Sequence, residues 1–192
     1  MNLYDCRGQR KYLTPVERRA FLAAAEDAPE KIRTFCGTLA YTGCRISEAL
    51  ALTADRVDFG DGVLVIESLK KRRSGVYRAV PVPPVLLDTL DLVHEVKAAQ
   101  TQADRGNGVH LWAWSRATAW RHVRDIMQAA GIAGLHATPK GLRHAFGIKA
   151  TASQVPLNLT QKWLGHAQLS TTSIYADAVG PEEKQIAERM WD

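Results

Sequence analysis

One short block of alternating residues interrupts a sequence whose apolar residues otherwise recur at helical spacing. In "VLVIESLK" (63–70) and "VYRAVPVP" (76–83), the pattern changes from helical spacing to a period of two, as in strands with one buried face. The basic turn "KRRSG" between them predicts an antiparallel hairpin. The remaining periodic segments favour helices, so we predict an α+β fold that is mainly α: one domain carrying a small antiparallel sheet.

Helix boundaries are indicated by capping residues and glycines. The first helix is predicted from Pro15 to Glu26, because Thr14 and Glu17 form a capping-box pattern. A second helix should end near Gly43, and Ser47 is predicted to cap a short third one. Later helices are predicted over 85–99, 115–131 and 142–153, around positions 163 and 175, and in the C-terminal "PEEKQIAERMW".

The composition excludes a disordered chain and favours a polyanionic partner. Of the 192 residues, 46% are hydrophobic and 23% are charged, enough for a sizeable core. Twenty-five Lys and Arg against 20 Asp and Glu give a net charge of +5 and a pI near 9.2. Ribosomal and membrane-surface proteins share this basic balance, so charge alone does not identify nucleic acid as the partner.

The cysteines and the N-terminal residues bear on the compartment. Cys6, Cys36 and Cys44 form an odd number without CxxC spacing, which indicates neither a disulfide framework nor a zinc site. Cys36 and Cys44 are predicted to be buried as small apolar groups. The polar start "MNLYDCRGQRKYLT" lacks a signal-peptide core, and no apolar run reaches the ~18 residues of a membrane span. We expect a bacterial cytoplasmic protein, associated with the nucleoid and not with a membrane.

Two segments of the first half hold cations suited to phosphate binding. "TGCRISEAL" places Arg45 at a predicted helix start, where backbone N–H groups favour an anion. Alternatively, Arg45 is simply the ion-pair partner of Glu48, three residues away. "SLKKRRSG" places four cations at the hairpin tip, which either reach DNA or form a solvated charge run.

Two segments of the second half add further candidates. "TPKGLRHAF" sets Lys140 and Arg143 on one face at the beginning of a helix, with His144 beside them. The alternative is a helix N-terminus with exposed basic residues. "LGHAQLSTTSIYADA" holds His166 and Tyr175, nine residues apart. Taken separately, a histidine is more often a polar contact and a tyrosine a half-buried core residue.

Together these residues meet the requirements of phosphodiester cleavage without a metal. Guanidinium groups match the oxygens of a pentavalent phosphorus. A leaving 5′-oxygen needs a proton, which a lysine or histidine can supply. A tyrosine hydroxyl can attack and form a covalent phosphotyrosine. The sequence has no compact acidic cluster for magnesium, so we expect neither a metal nor a cofactor.

The segments "YTGCRISEALAL", "PKGLRHAF" and "LGHAQLSTTSIYA" resemble the three signature boxes of the tyrosine recombinase family, which includes the phage integrases. Their order, their approximate spacing and the His-to-Tyr interval match, and the resemblance covers about residues 12 to 192. It implies the family's catalytic-domain fold. It also implies a site-specific DNA recombinase that forms a 3′-phosphotyrosyl intermediate without metal or ATP.

The resemblance also implies roles for individual residues. Arg45 and Arg143 match the two phosphate-binding arginines, and His166 matches the later histidine that contacts the phosphate. Tyr175 matches the nucleophile. Glu48 matches the acidic residue that orients neighbouring catalytic groups.

The proton donor is implied less specifically. The family's general-acid lysine belongs to the hairpin, where we favour Lys70, at the end of the strand, over Lys71. Arg72 and Arg73 lie closer to the turn and are expected to bind DNA. Where most members carry a histidine, this chain has Lys140, which keeps a proton and positive charge but loses titration near neutral pH. Lys140 therefore remains a second candidate for proton transfer.

The resemblance further predicts the domain organisation and the partners. A catalytic domain is expected over 13–192, after an N-terminal extension over 1–12 and without the N-terminal core-binding domain usual in the family. Such a chain is either a truncated catalytic domain or a compact recombinase. The expected partner is double-stranded DNA at specific sites, bound by a homotetramer that is monomeric in isolation, with accessory DNA-bending proteins.

Two other functions are compatible with the same residues. A type IB topoisomerase has similar chemistry but acts without a matched second site. A DNA-binding regulator would use the basic helices without chemistry. Relaxation of supercoils without sequence preference would identify the first, and failure to form a covalent adduct would identify the second.

Overall fold

The computed structural model describes residues 3–69, 75–101 and 108–175. The helices are α1 (Pro15–Glu26), α2 (Glu30–Thr42), α3 (Ile46–Leu50), α4 (Pro84–His94), α5 (Val96–Thr101), α6 (Arg116–Ala129), α7 (Pro139–Ala152), α8 (Leu157–Leu164) and α9 (Ser170–Ser173); the strands are β1 (Val57–Asp58), β2 (Val63–Glu67) and β3 (Tyr77–Pro81). The predicted α+β fold, mainly α with a small antiparallel sheet, is confirmed. The C-terminal helix predicted in "PEEKQIAERMW" lies outside the described residues.

The sheet contains the predicted hairpin and one additional strand. β2 pairs antiparallel with β3, and Leu64 lies opposite Val80. The short strand β1, which the sequence analysis missed, pairs with the other edge of β2. Leu64, Ile66 and Val80 are buried, so one face of the hairpin packs on the helices as the alternation predicted. The hairpin tip, 70–74, lies outside the described residues.

Two predicted helix boundaries are wrong. Ser47 does not cap α3: Arg45 is the residue before its first turn, with extended φ −76° and ψ 150°, and Ser47 lies inside the helix. The helix predicted over 85–99 is two helices, because Glu95 adopts a left-handed φ of 51° between α4 and α5. The Asp91 carboxylate accepts a hydrogen bond from the Lys97 backbone N–H at 2.9 Å and so caps the start of the second helix.

The core is built around α2, which packs against α1, α4 and α7. Phe35 and Leu39 are fully buried on it, and the Trp112 ring meets Phe35 edge-on at 5.1 Å between centroids. Cys36 and Cys44 are buried, as predicted. α2 therefore connects the main core to α7, on which the predicted site residues Lys140, Arg143 and His144 lie.

A second, smaller hydrophobic cluster joins the segment before α1 to the last described residues. Leu3, Leu164 and Tyr175 are its buried members, and Phe146 packs against them. The segment from Leu3 to Tyr12 therefore packs against the same cluster as Tyr175 and belongs to the folded unit. No helix in the described part of the chain has the length and apolarity needed to cross a membrane.

Gly43 offers a test of how closely α2 and α7 pack. It ends α2 with a left-handed φ of 60°, and a Cβ added there would lie 2.6 Å from the ring of Phe146. Gly43→Ala should lower the free energy of unfolding by the left-handed penalty of about 1 kcal/mol and by at least about 1 kcal/mol more for overpacking. Urea denaturation measures this loss.

Gly62→Ala is the matched control, because Gly62 has a similar φ of 67° and a Cβ there would meet nothing within 4 Å. It should show the left-handed penalty alone. Equal losses for the two variants would contradict the close contact between Gly43 and Phe146.

Candidate active site

Arg45 and Glu48 form the first part of the candidate site. The Glu48 carboxylate accepts a hydrogen bond from the Arg45 backbone N–H at 2.9 Å and one from its guanidinium at 2.6 Å. Glu48 is only 1% exposed, whereas Arg45 stays partly exposed. The Arg45–Glu48 ion pair, which was the alternative interpretation of Arg45, is therefore present. It leaves the Arg45 side chain partly exposed rather than buried.

Arg78 is a site residue that sequence reasoning missed. Its guanidinium lies 2.6 Å from the other Glu48 oxygen, 2.9 Å from Ser68 Oγ and 2.7 Å from the backbone oxygen of Trp163. Arg78 is buried on the inward face of β3. The strand pattern could have identified Arg78. It lies two residues before Val80 and therefore on the same, apolar face of the strand, where a charge needs a buried partner.

The start of α7 presents two of the predicted cations. Thr138 caps the helix, with its hydroxyl accepting from the Gly141 N–H. Lys140 and Arg143 follow in the helix, and both line one cleft. Arg143 donates to the carbonyl oxygens of Gly43 and Leu164, each at 2.7 Å. Burial, and then the nearby Arg45, lower the pKa of Arg143 to about 10, which still leaves it charged at neutral pH.

His166 follows directly after the end of α8 at Gly165. Its Nδ1 lies 2.9 Å from Thr172 Oγ1. Burial, followed by the charges of Arg143 and Arg45, lowers the pKa of His166 to about 3. The imidazole is therefore neutral at physiological pH and is held next to two cations.

Tyr175 lies behind the cleft. It is 1% exposed, and its ring packs so closely on α7 that a Cβ at Gly147 would lie 2.5 Å from it. Its hydroxyl is 3.2 Å from His144 Nδ1, and its ring is nearly parallel to that of His166, at 6.3 Å between centroids and 15°. Burial raises the pKa of Tyr175 and lowers that of His144 to about 4.

Four of the predicted residues meet in one cleft of about 800 Å³, namely Arg45, Lys140, Arg143 and His166. Glu48 lies beneath the cleft, and Tyr175 with His144 lies behind it rather than in its wall. The exposed side chains of Trp120 and Leu135 also line this cleft. The predicted hairpin cations Lys70, Lys71, Arg72 and Arg73 lie outside the described residues. Three cations and a neutral imidazole can bind the oxygens of a phosphate ester.

Comparison with known proteins identifies relatives of this chain. The model of the phage integrase family matches residues 11–180. The chain is 30% identical over 153 residues to the tyrosine recombinase XerA of Pyrococcus furiosus, covering 77% of this chain and 50% of that protein. It is 34% identical over 142 residues to the tyrosine recombinase XerD of Mycobacterium tuberculosis, covering 70% of this chain and 43% of that one.

Solved structures share the fold. A crystal structure of XerA recombinase superposes with a TM-score of 0.75 at 24% identity, covering 93% of this chain and 64% of that one. XerH recombinase bound to a palindromic difH substrate gives 0.77 at 23% identity, covering 94% and 53%. The chain spans about half the length of the curated relatives it matches.

The buried Glu48–Arg78 pair predicts a large stability loss when Arg78 is removed. Arg78→Met leaves the buried carboxylate with Arg45 alone and should cost about 3–5 kcal/mol of unfolding free energy. Arg56→Met is the control, because Arg56 pairs with Asp55 at 3.0 Å in a partly exposed position, where such pairs contribute about 1 kcal/mol or less. If urea denaturation showed similarly small losses of unfolding free energy for the two variants, Arg45 alone would be enough to compensate the charge of Glu48.

The neutral histidines predict a pH dependence of stability. Because the pKa of His166 is about 3 in the fold and 6.5 unfolded, only the unfolded chain takes up this proton as the pH falls below about 6.5. Stability should therefore fall on acidification, by at most about 1.4 kcal/mol per pH unit for each such histidine. Urea denaturation between pH 7 and 5 should give a shallower slope for His166→Asn than for the unaltered chain. Equal slopes would mean that His166 titrates normally.

Proposed function

The chain belongs to the phage integrase family, and we propose that it carries the catalytic activity of a site-specific DNA recombinase. In this proposal it cleaves and rejoins duplex DNA through a 3′-phosphotyrosyl intermediate, without metal or ATP. The observation that carries the proposal is the single cleft that gathers Arg45, Lys140, Arg143 and His166 in front of Tyr175. Residues 13–192 are proposed as the catalytic domain, against which the preceding segment packs through Leu3 and Tyr12.

The two arginines are proposed to bind the scissile phosphate. Each keeps part of its guanidinium in fixed contacts, Arg45 with Glu48 and Arg143 with two carbonyl oxygens, so both are oriented before DNA arrives. Such preorganised charges stabilise the developing charge of the pentavalent phosphorus more than they stabilise bound DNA. Neutral His166 adds a hydrogen-bonding group without adding another charge.

Tyr175 is proposed as the nucleophile. Its hydroxyl oxygen attacks phosphorus, the bond to the 5′-oxygen breaks, and the leaving oxygen takes up a proton. In the resting position the hydroxyl lies 3.2 Å from Nδ1 of neutral His144, and on attack its proton passes to a base of the cleft. Because the side chain is buried at rest, attack requires Tyr175 to leave its packing position and enter the cleft.

The proton for the leaving oxygen is proposed to come from a lysine. Lys70 of the hairpin is the first candidate, supported by the resemblance of the signature boxes. Lys140 is the second, because it lines the cleft beside Arg143.

The DNA is proposed to cover the cleft and its rim. Arg116 and Trp120 of α6 line the cleft beside Lys140, so the cationic surface continues beyond the phosphate site. Hairpin residues Arg72 and Arg73 are proposed to contact the duplex as well. The protein is proposed to be a monomer in isolation and a homotetramer on paired recombination sites, with help from accessory DNA-bending proteins. It is further proposed to act on the bacterial nucleoid as part of a mobile element.

The nucleophile is tested by covalent trapping on a duplex nicked next to the cleavage position. Tyr175→Phe should bind the duplex and form no covalent complex, because it lacks the attacking oxygen. Tyr41→Phe is the matched control, since Tyr41 lies on α2 against Arg18, away from the cleft. An adduct of undiminished yield from Tyr175→Phe would refute the assignment, and a chain that binds DNA without any adduct would be a regulator.

The two lysines are distinguished by a substrate with a 5′-bridging phosphorothiolate. Its sulfur leaves without protonation, so it should restore cleavage to a variant that lacks the general acid. We expect rescue of Lys70→Ala and only weak rescue of Lys140→Ala, measured as single-turnover cleavage rates. Tyr175→Phe should stay inactive on both substrates. The reverse pattern of rescue would assign the general acid to Lys140.

A further inference from the structure

The imidazole of His166 is held from behind by Thr172. Thr172 lies on α9 and is 0% exposed, and His166 is 8% exposed. The distance from Thr172 Oγ1 to His166 Nδ1 is 2.9 Å. Within the described residues, the Thr172 hydroxyl makes no other hydrogen bond. The direction of this one bond therefore determines which ring nitrogen carries the proton.

The surroundings of Thr172 favour one direction. If the hydroxyl donates to Nδ1, both groups are satisfied and the ring proton lies on Nε2. If Nδ1–H donates instead, the hydroxyl proton is left buried and has no acceptor in the described part of the chain. A buried donor without an acceptor is unfavourable, so Thr172 is the donor and Nδ1 is the acceptor.

The charges around His166 make the choice of tautomer consequential. Arg45 and Arg143 share the cleft with the ring. Burial, followed by the charges of Arg143 and Arg45, lowers the pKa of His166 to about 3. In the DNA-free protein the ring is therefore a neutral imidazole. A neutral imidazole donates a hydrogen bond only from the nitrogen that carries its proton, so a bare Nε2 would turn a lone pair toward bound phosphate.

We propose that Thr172 is a positioning residue that fixes His166 as its Nε2–H tautomer and so presents a hydrogen-bond donor to the cleft. The tautomer itself follows from the contacts of Thr172 and His166. Its consequence for catalysis rests on the proposed function: Nε2–H would donate to a non-bridging oxygen of the scissile phosphate beside the two arginines.

The tautomer is measured directly by long-range ¹H–¹⁵N correlation spectra of the ¹⁵N-labelled full chain at neutral pH. His166→Asn assigns the ring signals. We expect an unprotonated Nδ1 and a protonated Nε2 in the unaltered chain. A protonated Nδ1 would overturn the proposal.

Three threonine variants test whether Thr172 sets this preference. Thr172→Val keeps the shape but removes the hydroxyl, so the two ring nitrogens should move toward averaged shifts as both tautomers become populated. Thr172→Ser should retain the original pattern. Thr160→Val is the matched control, because Thr160 is equally buried and its hydroxyl has no partner among the described residues. An unchanged tautomer in Thr172→Val would overturn the role of Thr172.

Cleavage of a nicked duplex in a single turnover tests the catalytic consequence. Thr172→Val should cleave about tenfold more slowly, the equivalent of one lost hydrogen bond, with unchanged affinity for the duplex. Thr172→Ser and Thr160→Val should cleave at the rate of the unaltered chain. A full rate in Thr172→Val despite a changed tautomer would overturn the catalytic consequence. No covalent complex from the unaltered chain would instead refute the proposed function and leave the spectra valid.

Discussion

The buried carboxylate of Glu48 is the constraint on which the arrangement of the site depends. Burying a negative charge is costly unless cations and hydrogen bonds compensate it, and here Arg45 and Arg78 both do so. Because Arg78 also binds Ser68 and the Trp163 carbonyl, the same charge ties α3 to the hairpin and to the end of α8. The segments that carry Arg45 and His166 are therefore positioned together.

The site also concentrates positive charge, and the protein uses helix ends to balance it. Arg143 binds the carbonyl oxygens of Gly43 and Leu164, at the C-terminal ends of α2 and α8, where helix dipoles are negative. Burial, followed by the nearby cations of the site, keeps the pKa values of His144 and His166 low. A permanently cationic site with neutral histidines is thus a consequence of the packing.

The sequence was informative where a local pattern has one dominant cause. Alternation predicted the hairpin, and the capping box predicted α1, because each depends on neighbouring residues. The break at Glu95 was missed, since a left-handed glutamate is stabilised by the capping of α5 rather than by its own preference. Arg78 was missed because its partner Glu48 lies on another element. Thr172 was missed because its contact with His166 depends on how α9 folds back on that residue.

The burial of Tyr175 against α7 has a consequence for specificity under the proposed function. A resting protein that contacts arbitrary DNA holds its hydroxyl out of reach, so binding alone does not break a strand. Only a site whose contacts favour the rearranged state supplies the free energy to expose Tyr175. Discrimination between sequences would then be greater in cleavage than in binding, and most contacts with the chromosome would leave it intact.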